Sequence, residues 1–100
     1  MSADESAPTS ISSAEYLAAE LERLMALPLT TPEEVEQWYD DCGTVQQTLE
    51  RQFPTFMPEH EFWHFCSDAD IRSREVGYRD RQHLLMSEYV HRLRTSTADA

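Results

Sequence analysis

The strongest chemical signal in this sequence is His60-Glu61-x-x-His64, the H-E-x-x-H pattern of zinc hydrolases. The two histidines are four residues apart, so on a helix both imidazoles lie on the same side and can bind one ion. Glu61 stands where it could act as general base on a metal-bound water. As an alternative to the leading prediction given below, the motif indicates a metal-binding protein or a minimal zinc hydrolase.

The same stretch also has an apolar face directed away from the two histidines. At about 100° per residue, and counted from His60, His64 lies at about 40° on a helical wheel. Phe65, Phe62 and Cys66 lie at about 140°, 200° and 240° on that wheel. We therefore expect the apolar side chains in the core and both histidines in solvent. A catalytic zinc also needs a third protein ligand, and none stands at a spacing typical of these enzymes.

The leading prediction is consequently that the chain is not an enzyme and holds no metal or cofactor. Trp63 and the two cysteines each allow more than one interpretation. Trp63, at about 300° on the same wheel, is expected in the core or at its edge; if it is exposed instead, it is the best candidate for a partner-binding hot spot. Cys42 and Cys66 are far apart in sequence and form no C-x-x-C motif. Both fall on apolar stripes, which favours buried structural thiols over nucleophiles.

Helical periodicity predicts the elements that position these residues. Ser12 with Glu15, and Thr31-Pro32 with Glu34, are typical helix starts. Pro28 and Pro54 indicate where the first two helices end. Apolar residues recur three and four apart, and no segment alternates with period two. The predicted helices are about 12–26, 32–53, 58–67 and 74–94, with a turn over residues 68–73.

These segments predict an all-α fold, a compact four-helix bundle-like domain. The domain is expected over residues 11–94, between short disordered tails at 1–10 and 95–100. In the last helix the inward stripe is expected to include Tyr78, Gln82, Leu85, Tyr89 and Leu93, widened by Leu84, Met86 and Val90. A chain of 100 residues is long enough for one modest core.

The charge of the chain is strongly negative and unevenly placed. The formal net charge is −11, all eight basic residues are Arg, and the part through Ile71 carries −13. Such a field repels nucleic acid and anionic membrane surfaces and favours a basic partner. The N-terminal residues resemble no signal peptide and no apolar run could span a membrane, so we expect a cytoplasmic protein.

The second helix is expected to display four acids on its outer side, Glu33, Glu36, Asp40 and Asp41. With Trp63, these residues are the predicted partner-binding set. The leading functional prediction is a small acidic protein–protein interaction module, an inhibitor, adaptor or immunity-like protein, that binds a basic protein as monomer or homodimer. The likeness to immunity proteins is one of size and charge alone. Besides the zinc alternative, a self-associating structural protein is the third hypothesis.

Overall fold

A computed structural model describes the backbone of residues 11–99 and the side chains of residues 11–95. These residues form five α-helices and no strand, which confirms the predicted all-α class. The predicted N-terminal tail at 1–10 lies outside the described residues. The helices are α1 (Ser13–Ala26), α2 (Pro32–Gln52), α3 (His60–Ser67), α4 (Ala69–Arg74) and α5 (Val76–Asp99).

The first two helices begin where their caps predict. The Ser12 side chain accepts a hydrogen bond from the Glu15 backbone N–H at the start of α1. At the start of α2, Thr31 and Glu34 form a complete capping box, with Pro32 in the first turn. Each cap satisfies backbone donors that a helix start otherwise leaves to water. Local chemistry therefore determines both helix starts.

The predicted turn at 68–73 is wrong, because most of this segment forms the short helix α4. Asp68 separates α3 from α4, and Glu75 separates α4 from α5. The Ser and Asp residues of this segment favour a turn, but Ala69 and Arg72 are buried, so tertiary packing holds the segment helical. Two bounds also differ from the prediction: α3 begins at His60 rather than 58, and the backbone of α5 continues beyond 94 to Asp99.

The most extensive contact between helices in the fold joins the first described helix, α1, to the last, α5. The second helix contacts α1, α3 and α4. Trp38 of α2 is fully buried at their meeting point and its Nε1–H donates to the Leu24 carbonyl at 2.9 Å. The largest buried side chains form one cluster around it: Leu17, Leu21, Leu24, Val45, Phe62, Phe65 and Met86.

The buried stripe of α5 is narrower than predicted. Leu84 is 60 % exposed and Leu85 is 38 % exposed, so both predicted core positions were wrong. A helix packed on one side can bury only a limited arc, and α5 buries the arc centred on Met86. Among the described side chains of α5, the buried ones are Gln82, Met86, Tyr89, Val90 and Leu93.

Candidate functional site

His60 and His64 lie side by side on the exposed side of α3. Their Nε2 atoms are 2.9 Å apart, and their rings meet edge to face with centroids 4.5 Å apart. The buried residues of the same helix are Phe62, Phe65 and Cys66. The orientation predicted from the helical wheel, with histidines outward and the apolar face inward, is confirmed.

The histidine pair has no third ligand in the described part of the chain. No group of three His, Cys, Asp or Glu side chains there is arranged to hold a metal ion. Glu61 is exposed and, with His64, borders a pocket of about 170 Å³ against Arg81 and Leu85 of α5. The motif thus provides two adjacent imidazoles and a carboxylate at the surface, without the further ligand that a catalytic zinc requires.

The predicted acidic face of α2 consists of solvent-facing carboxylates. Glu33, Glu36 and Asp40 are exposed, and Asp41 is half-buried. The amide of Gln37 donates to Asp41 Oδ1 at 3.3 Å. Among the residues that the structure describes, no cation forms an ion pair with any of these four acids. Their negative charge is therefore left to solvent.

The arginines that do form ion pairs use acids outside this face. The longest-range pairs belong to Arg94, which contacts Glu15 at 3.1 Å and Glu22 at 2.7 Å and so joins α5 to α1. Arg92 of α5 contacts Glu59 at 2.6 Å. The other ion pairs are local: Arg23–Glu20, Arg74–Asp70 and Arg79–Asp80. Internal charge pairing therefore leaves the outer face of α2 unbalanced.

A small groove of about 70 Å³ runs beside this acidic face. Leu27 and Pro28 line one side, and Trp38 with Asp41 lines the other. Lysine and arginine place an aliphatic stem on apolar surface while the charged head remains near acids. Asp41 is the acid of this face that lines the groove, so a basic side chain there would place its charged head at Asp41.

Trp63 is exposed rather than buried in the core. This is the alternative that makes it a candidate partner-binding hot spot. Its side chain is 44 % exposed, and its ring meets Phe62 edge to face with centroids 4.9 Å apart. Together with Phe53, Phe56 and Met57 it borders a groove of about 180 Å³ at the C-terminal end of α2. These residues form a second, mainly apolar surface.

The structure does not bring Trp63 and the acids into one patch. On α2 the groove beside Trp63 is bordered by residues 46–53, whereas the acids occupy residues 33–41. At about 100° and 1.5 Å per residue, the centres of the two sets lie more than 100° apart around α2 and about 20 Å apart along its axis. The predicted partner-binding set therefore divides into two separate surfaces.

A buried arginine, Arg72, is the residue that the sequence prediction missed. It is only 2 % exposed, and its guanidinium carbon lies 4.1 Å from the Phe65 ring centroid and 4.5 Å from that of Trp38. Nη1 donates to the Phe65 carbonyl at 2.7 Å and to Gln82 Oε1 at 2.6 Å. An arginine is expected at the surface, paired with acids, and Arg72 departs from that expectation. The spacing of Phe62, Phe65, Ala69 and Arg72 is compatible with one buried stripe, but the Trp38 ring that also covers Arg72 comes from another helix.

A hydrogen-bond network continues from Arg72 to Asp68. Gln82, which accepts from Arg72, donates to Asp68 Oδ2 at 3.1 Å. The Tyr78 hydroxyl donates to the same Oδ2, and this bond raises the pKa of Tyr78. Burial lowers the pKa of Arg72 to about 10, so the guanidinium remains a cation at neutral pH.

Cys42 and Cys66 form a buried thiol pair between α2 and α3, as their positions on apolar stripes predicted. The Cys42 thiol donates to Cys66 Sγ, with 2.8 Å between the sulfurs. That hydrogen bond, together with burial, raises the pKa of Cys42. A neutral, buried thiol is a poor nucleophile, so Cys42 contributes to packing.

Comparison of the chain with protein-family models, curated protein sequences and solved structures gives no significant match. Within residues 11–99, no helix has the length and apolar character needed to cross a membrane.

Proposed function

We propose that this chain is a small acidic protein–protein interaction module of the cytoplasm that binds a basic partner through the outer face of α2. The observation that carries the proposal is the set of exposed acids Glu33, Glu36 and Asp40, which share one helix face and have no ion-pair partner among the described residues. A partner's arginines or lysines would supply the missing positive charge without displacing an internal ion pair.

Charge would act mainly on the rate of association. The net charge of −11 attracts a basic protein over distances comparable with the Debye length, about 10 Å at 0.1 M salt. The groove beside Asp41, lined by Leu27 and Pro28, would then accept the aliphatic stem of a basic side chain. Binding of this kind weakens as salt rises.

The test is capture of partners from the native host, with mass spectrometry, at low and raised salt. The test variant combines Glu33→Gln, Glu36→Gln and Asp40→Asn. The control combines Glu61→Gln, Glu75→Gln and Glu88→Gln, exposed acids without ion pairs among the described residues and outside both proposed surfaces, and makes the same change in net charge.

The expected result is a basic partner captured by wild type and control, lost from the α2 variant, and weakened by salt. Equal loss from the variant and the control would mean that only total charge matters and would contradict a binding face on α2. Failure to capture any basic protein at low salt would count against the proposal as a whole.

The apolar surface around Trp63 provides a separate test of whether affinity also depends on an aromatic anchor. Trp is over-represented among residues that dominate interface energies. If this surface contacts the partner, Trp63→Ala lowers capture, whereas Leu84→Ala, at another exposed apolar residue, does not. If the Trp63 variant captures the partner as well as wild type does, the apolar surface around Trp63 is not part of the interface.

The two alternative functions have direct tests. A metal protein that uses His60, Glu61 and His64 would purify with stoichiometric zinc and lose stability in chelator. A self-associating structural protein would show a dimer mass by light scattering, and Trp63→Ala would shift it to monomer. Either result would replace the interaction module as the leading function.

A further inference from the structure

The chain contains two cysteines, Cys42 and Cys66, which lie 24 residues apart in sequence and meet in the fold. Cys42 belongs to α2 and Cys66 to the last turn of α3, so a bond between them would join two helices. Their sulfur atoms are 2.8 Å apart, and the sulfurs of a disulfide are about 2.05 Å apart. The two sulfurs therefore need to approach each other by less than about 1 Å to form a covalent bond.

The two thiols differ in how readily they can react with an oxidant. The thiolate, not the thiol, is the reactive form of cysteine. The hydrogen bond that Cys42 donates to Cys66 favours the thiolate of Cys66 and lowers its pKa. Cys66 is also the less buried of the two, at 6 % exposed against 2 % for Cys42. Cys66 is therefore the thiol that we expect to react first.

A small oxidant can reach Cys66 through local opening of α3. This helix has eight residues, and no side chain caps its start with a hydrogen bond. A helix of this length is marginal by itself, and local openings require less free energy than unfolding of the whole chain. Gln46, whose side chain hydrogen-bonds the Cys66 thiol, also lines the open groove beside Trp63. Opening of α3 at this groove would expose Cys66 to a molecule as small as hydrogen peroxide.

We propose that Cys42 and Cys66 are a site of reversible oxidation, where hydrogen peroxide converts the two thiols to a disulfide that joins α3 to α2. The Cys66 sulfur attacks one peroxide oxygen, the O–O bond breaks, and the other oxygen leaves with the thiol proton as water. Cys66 is then a sulfenic acid. The Cys42 sulfur attacks the Cys66 sulfur, the S–O bond breaks, and the hydroxyl group leaves with the Cys42 proton as a second water. Both electrons that reduce the peroxide come from the two thiols.

Contact between the sulfurs makes the second step possible. Burial makes Cys42 a poor nucleophile toward molecules in solution, but its target here is the sulfur that it already contacts. Two groups held together react without the cost of an encounter. The disulfide would fix α3, which carries Trp63, against the part of α2 that forms the other side of the same groove. The site does not depend on the proposed interaction surface of α2.

Intact mass spectrometry of the full chain tests the site. Wild type is treated with a small excess of hydrogen peroxide, and the remaining thiols are then alkylated. We expect a monomer lighter by the two thiol hydrogens, with no alkylated cysteine, and recovery of both thiols after dithiothreitol. The oxidised chain should also have a thermal midpoint at least about 5 °C above that of the reduced chain, because a crosslink restricts the unfolded state.

Single variants separate the two steps. In Cys42→Ser the reaction should stop at the sulfenic acid of Cys66, which dimedone traps. Cys66→Ser should react at least about tenfold more slowly, because its remaining thiol is the more deeply buried one. Both variants also control for methionine oxidation, since peroxide should not raise their thermal midpoints.

Several results would overturn the proposal. Wild type could retain two alkylatable thiols after peroxide treatment, form disulfide-linked dimers, or accumulate an oxyacid at Cys66 while Cys42 remains free. Each of these results is read on wild type, so a variant that fails to fold does not affect them. A disulfide that leaves the thermal midpoint unchanged would contradict the joining of α3 to α2, and equal rates for the two variants would contradict Cys66 as the attacking thiol.

Discussion

His83 is the histidine of this chain whose environment most clearly gives a pH dependence. Burial first, then Arg72 and Arg79, hold its pKa below the ordinary value of 6.5. The unfolded chain therefore binds this proton more readily than the folded one. Stability rises with pH wherever the unfolded state holds more protons, so His83 lowers the free energy of unfolding as pH falls below about 6.5.

His83→Gln should reduce this acid-side loss of stability. We expect the difference in free energy of unfolding between pH 7 and pH 5, from urea denaturation, to be smaller in the variant than in wild type. His91→Gln, which removes an exposed imidazole from the same helix, is the control. Parallel pH profiles for wild type and His83→Gln would contradict the predicted contribution.

Adjacent aromatics in α3 should differ sharply in their contribution to stability. Phe62 is fully buried, whereas Trp63 is 44 % exposed. Phe62→Ala creates a cavity in the core and should cost about 3–5 kcal/mol of unfolding free energy. Trp63→Ala should cost less than half as much, because its site remains open to water. Similar losses for the two variants, measured by chemical denaturation, would be inconsistent with this packing.

At the residue scale, the sequence predicts correctly which side chains of α3 face the core, because helical periodicity alone determines this. One helical wheel correctly placed Phe62, Phe65 and Cys66 inside and His60 with His64 outside. The wheel did not extend to Arg72, whose burial is unexpected because charged side chains are almost never fully buried. Its burial depends on two aromatic rings from other helices, a context that the local sequence does not contain.

Among the helices, α2 contains a glycine, Gly43, whose substitution by alanine should stabilise the fold. Its backbone is not in the left-handed region, and an added Cβ would meet nothing within 4 Å. Gly43→Ala should therefore raise the free energy of unfolding by about 1 kcal/mol. Gly77→Ala, in the first turn of α5, should gain less, because the glycine penalty applies to helix interiors. Destabilisation by Gly43→Ala, measured by thermal and urea denaturation, would contradict the open surroundings of this residue.

Helix boundaries could be predicted where capping residues close in sequence define them, and not where tertiary packing defines them. Thr31, Pro32 and Glu34 act within four residues of one another, so the start of α2 could be read directly. The existence of α4 could not, because a helix of six residues is marginal by itself and depends on the burial of Ala69 and Arg72. The same limit explains the misplaced Leu84 and Leu85, since the arc that α5 buries depends on how it crosses α1.

At the scale of the whole molecule, α5 completes the core. It is the main partner of α1 and contributes Met86, Tyr89, Val90 and Leu93 to the buried cluster. A chain truncated after Glu75 should show no cooperative thermal unfolding by circular dichroism. A sharp transition in the truncated chain would mean that α1 to α4 form a core by themselves. That result would contradict the central place of the α1–α5 contact.

The pairing of α1 with α5 also affects how the chain is made. Helix α1 ends at Ala26 and α5 begins at Val76, so about 50 residues are synthesised between them. At about 5–20 residues per second, the apolar stripe of α1 waits several seconds for its main partner. During that interval α2 can already contact α1, but the more extensive contact with α5 is still missing. The nascent chain therefore reaches its final packing only after the ribosome has released most of α5.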